Sequence, residues 1–448
     1  MARVSAWLVV SALVFRRLGP EALGIVTLVR ATVGILTYTS MGIGPALVKM
    51  LVDATRPVAP GAIPVAALAV EDEAQAKPLL KYSRQAPDPP PDEAVAQIYI
   101  TGEMLAASLG VVALALAGIY AMSFARLHDV SDSLEGAARM LVMLMGTATV
   151  FRLISDAPSG LLQARGRIAL DNWLLVAAEL SWGLVTAVIL FQKIAIRDGL
   201  AAVGWIFMLA NLALLIARAT AGRIEARTLT GDKARPDRAT AKALLSLGLL
   251  IMLSQVADFL YAPTDCILIE RFLGAEFVAY YSPALQIDAA LLLLVSGIAV
   301  VLYPKSAIAH AAGDVQRLKR YYVRGTLISF AMLLVASLTI WLSSGWIFTL
   351  WFGVDMPQTR AILPLLLVHT VIGGSSAVGR SVLLAVGKAK QFTVAVLLAG
   401  VANVLLSWLL VRSTNLGLKG IVLGTIIVVV VRCALWMPWY VWRTLKKL

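Results

Sequence analysis

The chain has 448 residues, of which 60% are hydrophobic and only 15% are charged. Soluble domains are nearer half apolar and a quarter charged, and apolar stretches of about 20 residues recur here, so a polytopic α-helical membrane protein is predicted. The formal net charge of +13 does not indicate nucleic-acid binding, because the basic residues of membrane proteins collect in cytoplasmic loops.

About twelve membrane spans are predicted, and Pro or Gly interrupts several of them, as is frequent in transporters. Their approximate limits are 4–18, 23–48, 97–124, 137–160, 168–192, 200–220, 241–264, 277–302, 323–343, 360–386, 391–411 and 416–442. Alternate loops are rich in Lys and Arg, so the positive-inside rule predicts that both termini are cytoplasmic in a multi-pass protein of the cell (inner) membrane. Loop 49–96 contains the acidic, Pro-rich stretch "QAPDPPPDEA", which favours a mobile cytoplasmic loop.

Three short phrases occur twice, in the same order, in the two halves of the chain. "RLGPEALGI" matches "FLGAEFVAY" at an offset of 255 residues, and Gly166-Arg167 matches Gly387-Lys388 at an offset of 221. A third match pairs Gly204 with Gly420. The pattern predicts two parallel six-helix lobes at 1–220 and 241–448, joined by a cytoplasmic linker at 221–240. We interpret Glu21 and Glu276, each in a repeated phrase, as residues that complement a helix dipole.

The first predicted span is short. It has about 15 residues, whereas roughly 20 are needed to cross a bilayer. We therefore expect the natural chain to start roughly 10–15 residues upstream of this sequence, so that the first helix is long enough to cross the bilayer. A tilted helix or a locally thinned bilayer is the alternative.

The ordered set of phrases resembles one transporter family across nearly the whole chain. "LGPEALGIVTLV" with "MGIGPALVK", "ERFLGAEFVAYYSPALQI" and "GKAKQFTVAVLLAGVANVLLSWLLV" with "NLGLKGIVLGT" are similar to helices of the Wzx-type polysaccharide and O-antigen flippases. These belong to the multidrug/oligosaccharidyl-lipid/polysaccharide exporter superfamily. The resemblance implies an all-α polytopic membrane protein with about 12 transmembrane helices, arranged as two pseudo-symmetric six-helix lobes around a central cavity. It also implies outward movement of an isoprenoid-pyrophosphate-linked oligosaccharide by alternating access.

Polar residues recur with helical spacing inside three predicted spans, which indicates a polar interior. The three sets are Arg152, Asp156, Ser159 and Gln163; Ser254, Asp258, Tyr261 and Asp265; and His369, Gly373, Ser376 and Arg380. A pyrophosphate needs cations, and Arg suits it because its fork is planar and always charged.

Arg30 is therefore the leading candidate for headgroup binding. The other substrate-binding candidates are Arg152, Arg380, His369, Tyr261 and Asn403. Structural alternatives remain open for Arg152, which could pair with Asp156 in its own helix, and for Arg380, which could reach the interface.

Asp258 and Asp288 are candidates for coupling to H⁺ or Na⁺, because carboxylates between membrane helices serve such roles. A structural salt bridge is the alternative for both, and Glu103 and Glu179 raise the same question. Arg432, inside the twelfth span, is left without a role.

No enzyme, metal site or cofactor is predicted. The expected partners are the lipid-linked oligosaccharide, membrane lipids and polysaccharide assembly proteins, without nucleic acid. Two alternative functions stay open: a cation-coupled multidrug exporter of the same superfamily, and a membrane oligosaccharide polymerase or ligase. The exporter should have an acidic cavity, whereas the polymerase should have a large outside loop with catalytic Arg or His.

Overall fold

The computed structural model describes residues 2–40, 42–55, 91–192, 194–226 and 235–448. The described part of the first half forms helices that we number in chain order. They are α1 (Ala2–Leu18), α2 (Pro20–Val33), a 3₁₀ helix (Gly34–Ser40), α3 (Ile43–Thr55), α4 (Pro91–Leu127), α5 (Glu135–Ile154), α6 (Asp156–Ala164), α7 (Ile168–Leu190) and α8 (Ile196–Ala226).

The second half continues with helices of the same type. They are α9 (Arg238–Phe259), α10 (Ala262–Leu273), α11 (Ala275–Ala311), α12 (Val315–Leu342), α13 (Ser344–Phe352), α14 (Pro357–Ser375), α15 (Ala377–Ala385), α16 (Ala389–Ser413), α17 (Leu418–Val429), a π-helix (Val430–Trp436) and α18 (Met437–Lys447).

Ten helical segments of the described chain are long and apolar enough to cross a membrane. They coincide with ten of the twelve predicted spans, and α1 and the pair α9–α10 account for the other two. The polytopic α-helical fold class is therefore confirmed. The helices also extend into predicted loop 49–96, because α3 continues to Thr55 and α4 begins at Pro91, a residue that suits a first helical position. The rest of that loop, residues 56–90, lies outside the described residues, as do residues 227–234 of the predicted linker.

The internal repeat is visible in the backbone. Gly19 and Gly274, which are 255 residues apart, both have positive φ, 94° and 101°, and each immediately precedes a helix. Gly166 and Gly387 have φ values of 77° and 78°. These conformations strain any residue with a Cβ atom, so the repeated glycines set equivalent turns in the two halves.

Three predicted spans break where the sequence predicts a continuous polar stripe. The break at Ser155 lies 221 residues before the break at Ser376, and the third is at Leu260 and Tyr261. Each break frees backbone carbonyls that must find donors in a membrane. Ser155 and Ser376 donate to carbonyls three residues earlier, at 2.7 and 2.6 Å. The three stripes are therefore not continuous faces of single helices.

The two lobes meet on the side of the structure where Gly19 and Gly274 lie, which we call the closed side. There α2 crosses α11 so tightly that a Cβ on Gly24 would lie 1.9 Å from the Ala275 carbonyl oxygen. Small residues permit such close helix approach in membranes, where van der Waals packing and hydrogen bonds hold helices together. Thr27 Oγ1 lies 3.1 Å from Ser282 Oγ. These two residues are also 255 apart, so the pseudo-twofold axis passes between them.

Helix α9 contacts helices of both halves. Its Leu244 is fully buried in a cluster with Leu47, Leu51 and Tyr99 of the first half, while the end of α9 packs against α16. The division of the chain into lobes at 1–220 and 241–448 stays a prediction, and α9 is the element that bridges it.

Candidate functional site

A cavity of about 270 Å³ lies inside the second lobe, beside the break between α9 and α10. We call it the acidic cavity, because two carboxylates, Asp265 and Asp288, lie on its wall. The other polar residues that line it are Tyr261, Tyr281, His369, Thr425 and Arg432. The wall therefore combines acids, hydroxyls, an imidazole and a guanidinium group in one partly open cavity.

Asp265 is held by three neutral donors. Thr425 Oγ1 donates to its Oδ2 atom at 2.9 Å, Asn403 Nδ2 donates to Oδ1 at 3.3 Å, and the Tyr281 hydroxyl lies 3.4 Å from Oδ2. The residue is only 1% exposed. A buried carboxylate needs such hydrogen bonds, because an unsatisfied buried charge is costly. Asp265 is thus fixed in place as an acceptor at the cavity wall.

Asp288 faces the same cavity from α11. The Thr370 hydroxyl donates to its Oδ1 atom at 2.5 Å, and His369 Nδ1 lies 3.5 Å from that oxygen. Three elements of the sequence prediction therefore meet here, because His369 of α14, Tyr261 and Asp288 all line one cavity. Carboxylates in such positions commonly form ion pathways and proton relays.

Arg432 is on the π-helix between α17 and α18. Its guanidinium group lies over the Tyr261 ring, 5.3 Å from the centroid, and it lines both the acidic cavity and a second, smaller one. Short π-helical segments occur frequently at functional sites. The sequence alone could identify Arg432 as an intramembrane cation, but the hydropathy pattern carries no signal for the π-helix that sets its position.

The second cavity, of about 150 Å³, lies below the break at Ser376. We call it the Arg380 cavity. Arg380, Arg432, Ser376, Phe392 and Thr393 are among its lining residues, and its described wall contains no carboxylate. Arg380 is exposed and lies over the Phe392 ring at 5.6 Å from the centroid. The aromatic face positions the guanidinium group and leaves its charge available.

Two other predicted arginines lie elsewhere, in the first lobe. Arg30 is half-buried and stacks on Trp7, with its guanidinium carbon 3.8 Å from the ring centroid. Arg152 does not take Asp156 as its ion-pair partner. It pairs instead with Glu179 of α7, at 3.0 Å, because the break at Ser155 changes the direction of the chain between Arg152 and Asp156.

Asn403 has a structural position. It is fully buried, and its Nδ2 atom donates to the Leu260 carbonyl at 3.0 Å, which is one of the groups freed by the break. Gly400, one turn earlier, gives Leu260 room, since a Cβ there would lie 2.7 Å from the Leu260 Cβ.

For Asp258 and Ser254, the helix backbone is described but the side chains lie outside the described residues. The ion-coupling role of Asp258 stays a prediction, and Asp265 lies at the wall of the acidic cavity.

A buried ion pair that sequence reasoning missed fills the core of the first lobe. Arg218 Nε lies 2.8 Å from Asp171 Oδ1, and both side chains are nearly inaccessible. Ser159 and Gln163 donate to the other Asp171 oxygen at 2.9 and 3.0 Å. Asp171 and Arg218 lie near the ends of predicted spans, where charged residues usually indicate an interface, so no sequence pattern distinguishes them from interfacial charges.

A second missed contact joins the lobes on the closed side. His128 Nδ1 lies 2.8 Å from Glu270 Oε2, and the other Glu270 oxygen accepts from the Asp129 backbone N–H at 2.7 Å. Tyr120 OH lies 2.9 Å from His128 Nε2. We call this set the Glu270 latch.

Comparisons with known proteins agree with this architecture. The family model described as "Polysaccharide biosynthesis protein" matches residues 100–310, and the MatE model matches residues 251–409. The uncharacterized membrane protein EpsK of Bacillus subtilis is 26% identical over 207 residues, which cover 46% of this chain and 40% of EpsK. The match thus spans about two fifths of the length of that curated relative.

Solved structures share the fold over nearly the full chain. An inward-facing multidrug resistance MATE family transporter of the MOP superfamily superposes with a TM-score of 0.74 at 16% identity, covering 99% of this chain and 96% of its own. A MOP superfamily transporter from Pyrococcus furiosus, described as having a binding pocket of reverse polarity, gives 0.60 at 17% identity, covering 99% and 93%.

The two-lobed bundle of membrane helices, with buried charges around internal cavities, is that of a polytopic membrane transporter. The two family models match parts of the chain, and the fold is shared with transporters of the multidrug/oligosaccharidyl-lipid/polysaccharide (MOP) exporter superfamily, to whose members the chain is therefore similar.

Proposed function

We propose that this transporter moves an isoprenoid-pyrophosphate-linked oligosaccharide from the cytoplasmic to the outer leaflet of the cell membrane, for export of a surface polysaccharide. Both termini are cytoplasmic in this proposal, and the lobes open alternately to the two sides. The protein catalyses no covalent step. The match of residues 100–310 to the polysaccharide biosynthesis family supports this assignment over other members of the superfamily.

The observation that carries the proposal is the guanidinium group of Arg432 on the wall of a cavity that also presents hydroxyl groups. An exporter of organic cations gains from a purely acidic cavity, because a fixed cation repels its substrate. A pyrophosphate with attached sugars instead needs cations together with hydrogen-bonding side chains.

We propose that Asp288, with Asp265 beside it in the acidic cavity, takes up H⁺ or Na⁺ during the cycle. Thr370 and His369 both contact Asp288 Oδ1. Their contacts with this oxygen are therefore expected to change when the cation binds. Binding of a cation next to Arg432 would add positive charge to the wall shared by the two cavities. Ion binding and anion binding are therefore expected to be thermodynamically linked.

The proposal is tested by reconstituting the protein in liposomes with a fluorescent isoprenoid-pyrophosphate oligosaccharide, and by measuring the fraction that becomes accessible in the opposite leaflet. Wild-type protein is expected to flip this lipid, whereas Arg30→Ala is expected to abolish flipping and complementation of a polysaccharide-export defect. Arg17→Ala is the matched control, because exposed Arg17 also lies over an aromatic ring, that of Phe191, at the end of α1. Wild-type activity in Arg30→Ala would contradict a role for this cation.

If an ion gradient drives flipping, Asp288→Asn is expected to remove the dependence of the flipping rate on that gradient.

A multidrug exporter is the second candidate. The observation that favours it is the pair of carboxylates in the acidic cavity, together with the MatE match over residues 251–409. Ethidium efflux from cells that lack their own exporters distinguishes the two functions. Efflux by this chain without lipid flipping would favour the drug exporter.

A further inference from the structure

Basic residues from two distant parts of the chain meet where α12 begins and α18 ends. Neither helix sequence contains an acidic residue. The nearest acid along the chain, Asp314, caps α12 and lies 3.5 Å from Arg317. The remaining cations are the set that we call the basic rim, namely Lys319, Arg320, Arg324, Arg443, Lys446 and Lys447.

Apolar packing fixes the two helix ends against each other. Leu318 of α12 and Val441 of α18 are buried in one hydrophobic cluster. As a consequence, the Lys319 ammonium group lies over the ring of Trp442, 5.9 Å from the centroid. An aromatic face attracts a cation without neutralising its charge. The basic rim is therefore held in a defined arrangement by the fold.

Tryptophan side chains place the basic rim at the depth of lipid headgroups. Trp439 and Trp442 are 54% and 39% exposed, and the Arg443 guanidinium lies over the Trp439 ring at 5.3 Å. Tryptophan is enriched at the interface between membrane and water. Beyond the rim, the next exposed side chains of α12 are those of Leu327 and Ile328. The rim therefore borders an apolar surface that lipid chains cover.

The basic rim lies on the outer surface of the helix bundle, at the end opposite the closed side. Helix α11 starts directly after Gly274 and has 37 residues, so it extends about 55 Å at 1.5 Å per residue. Helix α12 begins next to its far end, and the rim residues line neither of the two cavities. In the proposed orientation this end is cytoplasmic, where anionic lipids attract basic segments.

The corresponding helices of the first half have a different charge pattern. Helices α4 and α8 are the third and last spans of that half, as α12 and the span ending in α18 are of the second. Helix α4 carries Glu93 and Glu103 near its start, and Glu225 near the end of α8 pairs with Arg167 at 3.0 Å. Acids thus interrupt the positive charge there, so the basic rim is a feature of the second half and not a requirement of the fold.

We propose that the basic rim binds an anionic phospholipid of the adjacent leaflet, with Lys319 and Arg443 at the phosphate group. The exposed tryptophans lie beside the lipid glycerol backbone, and the apolar surface beyond them takes the acyl chains. Helix α18 is continuous with α17, whose Thr425 lines the acidic cavity. A bound lipid therefore anchors one end of a span that forms part of the cavity wall.

The test uses purified full-length protein in a neutral detergent and dansyl-labelled phosphatidylglycerol, which accepts fluorescence energy from nearby tryptophans. Unlabelled phosphatidylglycerol is expected to displace the probe, whereas phosphatidylcholine, which has no net charge, is not. Lys319→Gln/Arg443→Gln is expected to weaken binding about 25-fold, since each basic residue near an anionic surface contributes about 1 kcal/mol, or about fivefold. Lys319→Arg/Arg443→Lys keeps both charges and should bind like the wild type.

The matched control is Arg17→Gln/Arg412→Gln. Both arginines are exposed and lie over aromatic rings, those of Phe191 and Trp408, but neither belongs to the basic rim. This variant loses the same number of charges and should keep the wild-type affinity. Added salt should weaken binding by the wild type, because it screens exposed charges.

Three results would overturn the proposal. They are wild-type affinity in Lys319→Gln/Arg443→Gln, equal loss of affinity in the control variant, and displacement by phosphatidylcholine as strong as by phosphatidylglycerol. Absence of phosphatidylglycerol binding by the wild type would also overturn it, and would leave the rim to an acidic protein partner. Because the assay measures binding without transport, its outcome is independent of whether the protein flips lipid-linked oligosaccharides.

Discussion

Two ion pairs in the first half of the chain differ in their exposure to solvent. The side chains of Arg218 and Asp171 are 7% and 3% exposed, whereas those of Arg167 and Glu225 are 62% and 19% exposed. Removing one partner of a buried pair leaves an uncompensated charge and costs about 3–5 kcal/mol. We therefore expect Arg218→Met to lower thermal stability markedly, measured as the temperature at which the detergent-solubilised protein loses its monodisperse elution peak.

The control for this prediction is Arg167→Gln, which should change stability by about 0–1 kcal/mol because exposed pairs contribute little. The double variant Asp171→Leu/Arg218→Met should recover most of the loss, since it removes both charges together. Equal stability of Arg218→Met and Arg167→Gln would show that the buried pair is not needed to hold the first lobe.

For individual residues, the sequence identified most of the intramembrane charges but not their partners. Asp288, His369 and Tyr261 line one cavity, and two of them, His369 and Tyr261, lie on predicted polar stripes. The partner of Arg152 could not be deduced, because Glu179 lies on another helix and only packing brings them to 3.0 Å. Arg432 and Asp265 were visible as polar residues in apolar spans, yet their importance depends on the π-helix and on the break at Leu260.

The Glu270 latch is a polar contact between helix α10 and the turn that follows helix α4. Glu270 and His128 have side chains only 1% and 6% exposed, and they join the two lobes on the closed side. We expect Glu270→Ala to loosen this face, because it removes the 2.8 Å pair with His128 and the 2.7 Å bond from Asp129 N–H.

Spin labels at exposed Asp132 and Gln358, one on each lobe, would report this change as a longer or broader distance distribution. The labels are introduced as cysteines in a Cys266→Ala/Cys433→Ala background, since the two natural cysteines are buried. Glu276→Ala is the matched control, because Glu276 accepts only within its own helix, from Tyr280 at 3.0 Å among its described contacts. An unchanged distribution in Glu270→Ala would argue that packing alone closes this side.

The existence and limits of most helices followed from the sequence, because apolar length and Gly or Pro punctuation are local properties. The breaks within spans were harder to place. Pro or Gly in several spans predicted interruptions, and the structure places three of them at Ser155, Ser376 and Leu260. The freed carbonyls are satisfied by Ser hydroxyls and by Asn403. Such breaks depend on donors supplied by neighbouring helices, which a pattern within one span does not contain.

For the whole molecule, the repeated phrase "LG" with an acid two residues later predicted the symmetry that relates the lobes. Its offset of 255 also relates Thr27 to Ser282, whose hydroxyl oxygens lie 3.1 Å apart across the closed side. The sequence predicted the duplication, because turn glycines are local. It did not predict that equivalent residues touch, which is a consequence of how α2 and α11 cross at Gly24.

This contact offers a direct test of alternating access. If transport requires the closed side to open, a covalent link between α2 and α11 must stop it. We expect Thr27→Cys/Ser282→Cys, in the Cys266→Ala/Cys433→Ala background, to form a disulfide under mild oxidation, because the replaced hydroxyl oxygens are only 3.1 Å apart and a disulfide needs close side chains.

Formation of the disulfide is measured as the loss of two thiols that react with maleimide. Lipid flipping in liposomes should stop on oxidation and return on reduction. Thr27→Cys alone controls for oxidation without a link. Continued flipping by the fully cross-linked protein would mean that the lobes do not separate on this side during transport.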